Sequence, residues 1–287
     1  MTRGRSCLVV GCAVVVLAGC TDDPGDANTC AGDAILGGSP TPGSIAYSAA
    51  VRATLASILI DLGAGEIALC SGVMVDDRTL LTAGHCMDAA PDANAAAVFL
   101  GDPLDPAAPR ATVSAIARHD ALDVALLSVD FHGRALGAAP IPLLEGALDD
   151  SWLGATVDLA GYGVGDDGDA GILSFATETI ASLDPDHVVV TGGGDSGACV
   201  GDSGGPLFAT TRDGRVRVLG LLDDGSASCL GQDRYTRVDR LRDWAPLAAA
   251  LEAAASRAAC DGTPVLFLIR PRATSTGTPS DTAAVRR

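Results

Sequence analysis

The sequence contains no lysine. All 19 basic residues are arginine, against 36 acidic residues, and the formal net charge is −17. A chain with this excess of negative charge repels the phosphate backbone of nucleic acids, whose nonspecific binding depends on positive side chains. The composition therefore excludes nucleic acid as an expected partner and predicts an acidic surface.

Aromatic residues are also scarce, at 3% of the chain. A core must therefore be built mainly from Val, Leu, Ile and Ala, and hydrophobic residues make up 48% of the 287 residues. That is enough apolar material for one large domain or two small ones. The 35 glycines can supply turns, which favours β structure.

The apolar run at residues 7–17 falls short of the roughly 20 residues that a membrane-spanning helix needs. It follows Arg3 and Arg5, and small residues and then acidic ones come after it. This order is typical of a signal peptide. Residues 17–20, Leu-Ala-Gly-Cys, resemble the bacterial lipoprotein box, which implies a lipid on Cys20 and a lipid-anchored protein of the bacterial cell envelope. Plain secretion after signal cleavage is the alternative.

Short apolar runs recur along the chain between clusters of Gly, Asp and Pro. Short strands at this spacing predict an all-β sandwich or barrel. Residues 239–259, rich in Ala, Leu and Arg, are predicted as a helix, and residues 260–287 as a tail. The predicted strands cover residues 71–75, 79–82, 95–100, 124–129, 157–160, 187–191, 206–209 and 216–222.

Three motifs carry the residue types of a nucleophilic serine site. A serine hydroxyl is a poor nucleophile until an imidazole takes its proton, and the imidazole needs a carboxylate that fixes its tautomer and stabilises its charged form. We therefore predict Ser203 as the nucleophile, His85 as the general base and Asp123 as the residue that orients the base. The motifs are Leu-Thr-Ala-Gly-His-Cys at 81–86, Asp-Val-Ala-Leu-Leu at 123–127 and Gly-Asp-Ser-Gly-Gly-Pro at 201–206.

The glycines around Ser203 let the backbone approach a substrate carbonyl, so the amides of Gly201 and Ser203 are the predicted oxyanion hole. The same Gly-x-Ser-x-Gly spacing also fits the nucleophile elbow of α/β-hydrolases. In those enzymes the histidine follows the serine, whereas all four histidines here precede Ser203. Chain order therefore excludes the elbow. His119 and Asp120 are the competing base and acid, but they lack the motif context of His85 and Asp123.

Taken together, these motifs resemble those of the chymotrypsin-like (trypsin-like, S1) serine proteases, from about Ile35 to Trp244. The resemblance implies two antiparallel Greek-key β-barrels with the triad in the cleft between them, followed by a C-terminal helix. It also implies hydrolysis of peptide bonds in proteins through an acyl-enzyme, with no cofactor and no metal. Further matching segments are Ile-Leu-Gly-Gly at 35–38, Cys-Ser-Gly at 70–72, Gly-Tyr-Gly at 161–163 and Tyr-Thr-Arg-Val at 235–238.

The resemblance implies activation by proteolysis. A cut before Ile35 would release an ammonium group that pairs with Asp202, since a buried charge needs a partner. The residue before the cut is Ala34 rather than Arg or Lys, so the activating protease would differ from trypsin. The predicted organisation is a signal peptide at 1–19, a tether and propeptide at 20–34, the protease domain at 35–259 and the tail at 260–287.

Cysteine usage fits an oxidising compartment. Without the signal peptide and a lipidated Cys20, six cysteines remain, and their number alone does not fix the pairing. The resemblance implies two disulfides, Cys70 with Cys86 and Cys199 with Cys229. Cys30 is then left to pair with Cys260.

The resemblance does not by itself identify the acid that determines substrate specificity. The position that holds an acid in trypsin falls on Gly197, but Asp233 lies at another position that faces the pocket floor, and Asp195 is an alternative acid. Where the family usually has Ser-Trp-Gly, this chain has Asp-Asp-Gly at 223–225. We predict cleavage after Arg or Lys, with Asp233 as the main determinant. The predicted specificity pocket contains Gly197, Ala198, Gly225 and Asp233.

The expected partners are protein or peptide substrates, an activating protease and, through the lipid, a membrane. A protease fold can also serve as a catalytically silent binding or scaffold protein at the cell surface. Such relatives usually lose a member of the triad, and none is missing here.

Overall fold

A computed structural model describes residues 35–88, 90 and 92–260. The chain divides into two compact units, Met1–Leu251 and Glu252–Arg287. The first contains all the strands that the described residues form, and the described residues of the second form the end of a helix. The predicted signal peptide, the lipidation site at Cys20, Cys30 and the tail from residue 261 onward lie outside the described residues.

The first six strands form a closed antiparallel barrel in the order β1-β2-β3-β6-β5-β4. Pairing of β1 with β4 closes it, and the step from β3 to β6 is the Greek-key crossover. A short helix, α1 (Ala49–Thr54), precedes the barrel, and a second, α2 (Gly84–Asp88), follows β3. The strands are β1 Leu55–Gly63, β2 Glu66–Met74, β3 Thr79–Thr82, β4 Ala96–Phe99, β5 Arg110–Arg118 and β6 Ala125–Asp130.

The next six strands repeat this arrangement in a second closed barrel, in the order β7-β8-β9-β12-β11-β10. Pairing of β7 with β10 closes it. The predicted architecture of two antiparallel Greek-key barrels is confirmed. The strands are β7 Thr156–Gly161, β8 Ser174–Leu183, β9 His187–Thr191, β10 Pro206–Thr210, β11 Val216–Asp224 and β12 Gln232–Arg237.

The C-terminal helix, α3, spans Ala245–Cys260 rather than beginning at residue 239 as predicted. Pro246 explains the later start, because proline fits the first turn of a helix but removes a hydrogen bond and clashes in its interior. Residues Val238–Arg240 form a separate turn of 3₁₀ helix instead. No helix among the described residues is long and apolar enough to cross a membrane.

Each barrel encloses its own core of mainly aliphatic side chains, as the shortage of aromatics requires. Ile58, Met74 and Leu80 are fully buried in the first barrel. Phe175 and Phe208, two of the few aromatic residues, are fully buried in the second. The cluster around Phe175 and Phe208 extends into β1, β2, β3 and β6 of the first barrel, so apolar packing also joins the two barrels.

Asp158 anchors the segment before α1 to the second barrel. It is fully buried in β7, and its carboxylate accepts hydrogen bonds from the backbone amides of Gly43, Ser44 and Ile45 at 2.8 to 3.2 Å. The hydroxyls of Ser44 and Thr177 each donate a further bond at 2.6 Å. A buried carboxylate with this many donors is satisfied without a counter-ion.

We expect Asp158→Asn to destabilise the protein, because an amide cannot accept from all of these donors and its own N–H groups would face some of them. Hydrogen bonds to a charged acceptor contribute about 1.5 to 3 kcal/mol each, so a loss of about 3 kcal/mol in the free energy of unfolding is expected. Urea unfolding measures it as a lower midpoint at unchanged slope. Glu66→Gln, at an exposed position of β2, is the control and should change stability little.

Candidate active site

His85 and Asp123 are held together by the ends of two paired strands. His85 follows β3 in α2, and Asp123 precedes β6, which pairs with β3. The Asp123 carboxylate accepts from the backbone amide of His85 at 2.7 Å and lies 2.6 Å from the ring Nδ1. Gly84 makes this approach possible, because a Cβ there would lie 2.8 Å from Asp123 Oδ1.

His85 and Asp123 each stabilise the charged form of the other. The hydrogen bond to Asp123 raises the pKa of His85 above its ordinary value, although burial opposes the shift. Burial also disfavours the ionised form of Asp123, but the bonds from His85 outweigh it and hold the Asp123 pKa below its usual range. Because Asp123 lies against Nδ1, the other ring nitrogen of His85, Nε2, is not engaged by Asp123.

The loop around Ser203 is bound to strand β2 of the first barrel. The amide of Ser71 donates to the Ser203 carbonyl at 2.9 Å, and the Ser71 hydroxyl donates to the Gly201 carbonyl at 3.0 Å. The Ser71 hydroxyl in turn accepts from the Tyr162 amide at 3.0 Å. One serine thus joins the loop of Ser203 to the barrel that carries His85 and Asp123.

Glycines allow the tight course of this loop. Gly201 and Gly204 have φ angles of +99° and +81°, in the left-handed region that favours glycine. A Cβ on Gly204 would also collide with the Thr82 hydroxyl. The loop is closed by hydrogen bonds from the Gly205 amide to the Asp202 carbonyl and from the Gly204 amide to the Leu222 carbonyl, both at 2.8 Å.

His85 and Ser203 line the same cleft, whose volume is about 730 Å³. Both barrels contribute to its walls: Ile60 and Leu69 belong to the first, and Leu222 to the second. The structure thus brings Ser203, which the sequence places far from His85, into the same cavity.

Two disulfide bonds brace this region, Cys70–Cys86 and Cys199–Cys229, the two pairs that the resemblance implies. The first links β2 to α2 beside His85. The second links the segment before Ser203 to the loop after β11. Disulfides persist in oxidising compartments, so they indicate an exported protein.

Asp233 lies behind Ala198 and Gly225, two residues that line the cleft, and the other predicted pocket residue, Gly197, is also next to it. Its side chain is fully buried, and Oδ2 accepts from the Ala198 amide at 2.7 Å. A Cβ on Gly197 would lie 3.4 Å from Oδ2, and one on Gly225 would lie 3.0 Å from Oδ1. Oδ1 has no hydrogen-bond partner among the described residues. Burial raises the Asp233 pKa to about 6.

Asp202 and Ile35 are both buried. The Asp202 carboxylate accepts from the Gly163 amide at 2.7 Å and the Cys199 amide at 2.9 Å, and burial raises its pKa to about 7. None of the ion pairs found between described residues includes Asp202. Leu36 pairs with Gly197, so the segment after the predicted cut runs along the pocket wall.

The residues that competed for these roles lie elsewhere. His119 Nδ1 accepts from the amides of Ala121 and Leu122 at 3.2 and 3.1 Å, and its ring lies 5.3 Å from that of Trp244. It therefore caps a turn. Asp120 is exposed, and so is Asp195.

Two residues beside His85 and Asp123 were not predicted as site residues from the sequence, Asp223 and His187. Asp223 Oδ2 lies 2.8 Å from His187 Nε2, although the two are 36 positions apart. One ligand atom each from His85, Asp123 and Asp223 lies within 4.8 Å of the other two. His85 Nδ1 and Asp223 Oδ2 already have protein partners, so we assign no metal to this group. The only signal in the sequence was the departure from Ser-Trp-Gly at 223–225.

Among curated proteins none matches the chain. The model of one protein family does match, over residues 35–245, and its description is Trypsin. This match covers most of the chain and includes every residue of the cleft described above. A protease domain of this kind acts on proteins or peptides, and the chain belongs to the trypsin family of serine peptidases.

Proposed function

We propose that the protein is an active serine endopeptidase in which Ser203, His85 and Asp123 form the catalytic triad. The observation that carries the proposal is the 2.6 Å contact of Asp123 with His85 Nδ1, which leaves Nε2 to face the cleft that Ser203 also lines. The family match supports a serine peptidase in general but not the activity of this chain, because members of a family can lack activity.

In this mechanism His85 Nε2 accepts the proton of the Ser203 hydroxyl as Oγ attacks the scissile carbonyl. Asp123 fixes the proton on Nδ1 and stabilises the imidazolium that forms. The amides of Gly201 and Ser203 bind the oxyanion, and His85 then returns the proton to the leaving amine. Water repeats these steps on the acyl-enzyme and regenerates Ser203.

We expect Ser203→Ala to abolish labelling by a fluorophosphonate probe, since the probe reports an activated serine. Asp123→Asn should keep the fold but lower kcat by about 10⁴-fold, because the amide favours the wrong tautomer of His85. Peptide hydrolysis and probe labelling of the mature domain measure both effects.

Ser151→Ala, at a serine outside the cleft, is the matched control and should label like the wild type. A folded wild-type protein that remains unlabelled at every pH would contradict the proposal. It would favour the catalytically silent binding or scaffold protein instead.

Cleavage after Arg or Lys is the specificity that the pocket supports best. Oδ1 of Asp233 is buried and accepts no well-formed hydrogen bond, although the Ser226 amide is near enough to favour the ionised carboxylate. It lies next to Gly225, which lines the cleft and has no side chain to block the approach. An unpaired buried carboxylate oxygen is costly unless a cation or donor reaches it. A guanidinium or ammonium from the substrate would satisfy it.

We expect Asp233→Asn to reduce the preference for Arg over Leu ester substrates by about 30-fold or more, as for the loss of one partner from a buried charge pair. The ratio of kcat/KM for the two substrates is the measurement. Asp195→Asn is the control, since Asp195 is exposed, and should leave the ratio unchanged.

The same ratio should depend on pH. The Asp233 pKa is raised to about 6, so its charge, and with it the Arg preference, is present above pH 6 and is lost as the pH falls through that value. Titration of His85 affects both substrates equally and cancels in the ratio. A wild-type preference for Leu, or an Arg preference that survives Asp233→Asn, would show that another residue determines specificity.

We also propose that the chain is made as a zymogen, with the signal peptide at 1–19, a lipid on Cys20, a tether at 20–34 and the protease domain at 35–259. Asp202 supports this proposal: it is a buried acid whose donors among the described residues are backbone amides, and an ammonium on Ile35 would supply the missing charge. Ile35 also has a φ of +69°, a strained angle for a β-branched residue, and a cut before it would release that torsion.

Active enzyme should therefore have Ile35 as the N-terminal residue of its catalytic chain when it is analysed by Edman sequencing. If Cys30 pairs with Cys260, the short chain that starts at Cys20 should separate from the catalytic chain only after reduction. Full activity from a chain that still carries Asp33 and Ala34 would contradict the zymogen. Release of the short chain without reductant would contradict the third disulfide.

A further inference from the structure

Asp223 is the extra residue of a β-bulge. Strand β11 pairs with β12 in one register up to Leu222, opposite Tyr235, and in a shifted register from Asp224, opposite Arg234. A bulge changes the direction of a side chain relative to the regular strand. Here the Asp223 side chain, only 23% exposed, lines the cleft on the side of His85 and Asp123.

His187 holds Asp223 from the other side. It is the first residue of β9, only 17% exposed, and its Nε2 lies 2.8 Å from Asp223 Oδ2. Its Nδ1 lies 3.0 Å from a guanidinium nitrogen of Arg234 and 3.0 Å from Asp184. When Nδ1 accepts from Arg234, Nε2 must carry the proton and donate to Asp223. When His187 carries both protons, it donates to both acids, so Asp223 has a donor in either state.

The result is a second imidazole–carboxylate pair behind the first. The contacts run from His85 to Asp123, from Asp123 to Asp223 and from Asp223 to His187. We propose that Asp223 is a positioning residue, whose carboxylate, held by His187, forms with Asp123 a pair of acids that sets the pH range in which His85 acts as a base. The inference rests on the proposed triad and adds a fourth group to it.

The electrostatic effect follows from the sign of the charges. His85 faces Asp123 before β6, Asp223 in β11 and Asp88 in its own helix, and all three acids favour its charged form. Burial together with the neighbouring Asp123 raises the Asp223 pKa, and the bond to His187 opposes that shift. When Asp223 is ionised it raises the pKa of His85. When it is protonated it can donate a hydrogen bond to Asp123.

The test is Asp223→Asn. The amide keeps the shape of the side chain, its oxygen can accept from His187 and its N–H can donate to Asp123, so the change removes charge and leaves both contacts. We expect the acid limb of the pH profile for fluorophosphonate labelling to move about half a unit to lower pH, because a nearby negative charge has been lost. Labelling below that limb should be about threefold faster than in the wild type. The probe is neutral, so attraction of a cationic substrate does not contribute.

Asp224→Asn is the matched control. It removes a charge one position further along β11, from an exposed side chain that is not part of the cluster, and should leave the acid limb in place. Asp223→Ser is the second variant, with a hydroxyl that can still donate to Asp123, and should shift the limb in the same direction. Urea unfolding checks that each variant is folded.

A direct titration of the His85 ring by NMR in a Ser203→Ala background separates this inference from the proposed function, because it does not require activity. A lower His85 pKa in the Asp223→Asn protein supports the role of Asp223 even if no labelling occurs. Unchanged or higher values for both the labelling limb and the NMR titration would overturn it. Wild-type protein that titrates as expected but is never labelled would overturn the triad proposal alone.

Discussion

The hydrogen bonds of Ser71 fix the position of the Ser203 loop relative to the barrel that carries His85 and Asp123. His85 and Asp123 belong to the first barrel, while Ser203 belongs to a loop of the second, so the three can act together only if the barrels keep their register. The Ser71 amide and hydroxyl bind the carbonyls of Ser203 and Gly201. Because β2 is also paired with both β1 and β3, any displacement of the loop must distort a regular strand.

This attachment explains why the residues around the site are small. Gly204 lies against the Thr82 hydroxyl and the Ser71 carbonyl, and Gly84 lies against the carboxylate of Asp123. Each close approach brings a polar backbone or side-chain group into reach of a partner, and a Cβ at either position would separate them. The motifs that identify the site in the sequence are therefore largely the steric requirements of its hydrogen bonds.

The link between local motifs and the hydrogen bonds of the site also decides which features could be predicted from the sequence. The fold class and the cleft residues follow from local motifs whose residue types have a clear chemical use. Strands β5 and β8 alternate exposed and buried residues, and β12 contains Gln232, Arg234 and Arg237. None of these three strands is a continuous apolar run, so none was predicted. Strand β1 is apolar enough to have been found. Asp158 and the pair of Asp223 with His187 were missed because their partners are distant in the sequence and come together only in the folded chain.

The second barrel buries several carboxylates. They differ in the number of hydrogen-bond donors around them, and this difference indicates a different role for each. Asp158 accepts from five donor groups, three amides and two hydroxyls, and is a structural anchor. Glu178 has no partner among the described residues, and burial raises its pKa to about 8, so it is neutral at pH 7. Asp202 and Asp233 are intermediate: each is partly satisfied by backbone amides and has a raised pKa. A carboxylate that lacks some of its hydrogen bonds and is still able to ionise is stabilised by an incoming cation. In the proposed enzyme Asp202 would face the new N-terminus and Asp233 would face the substrate.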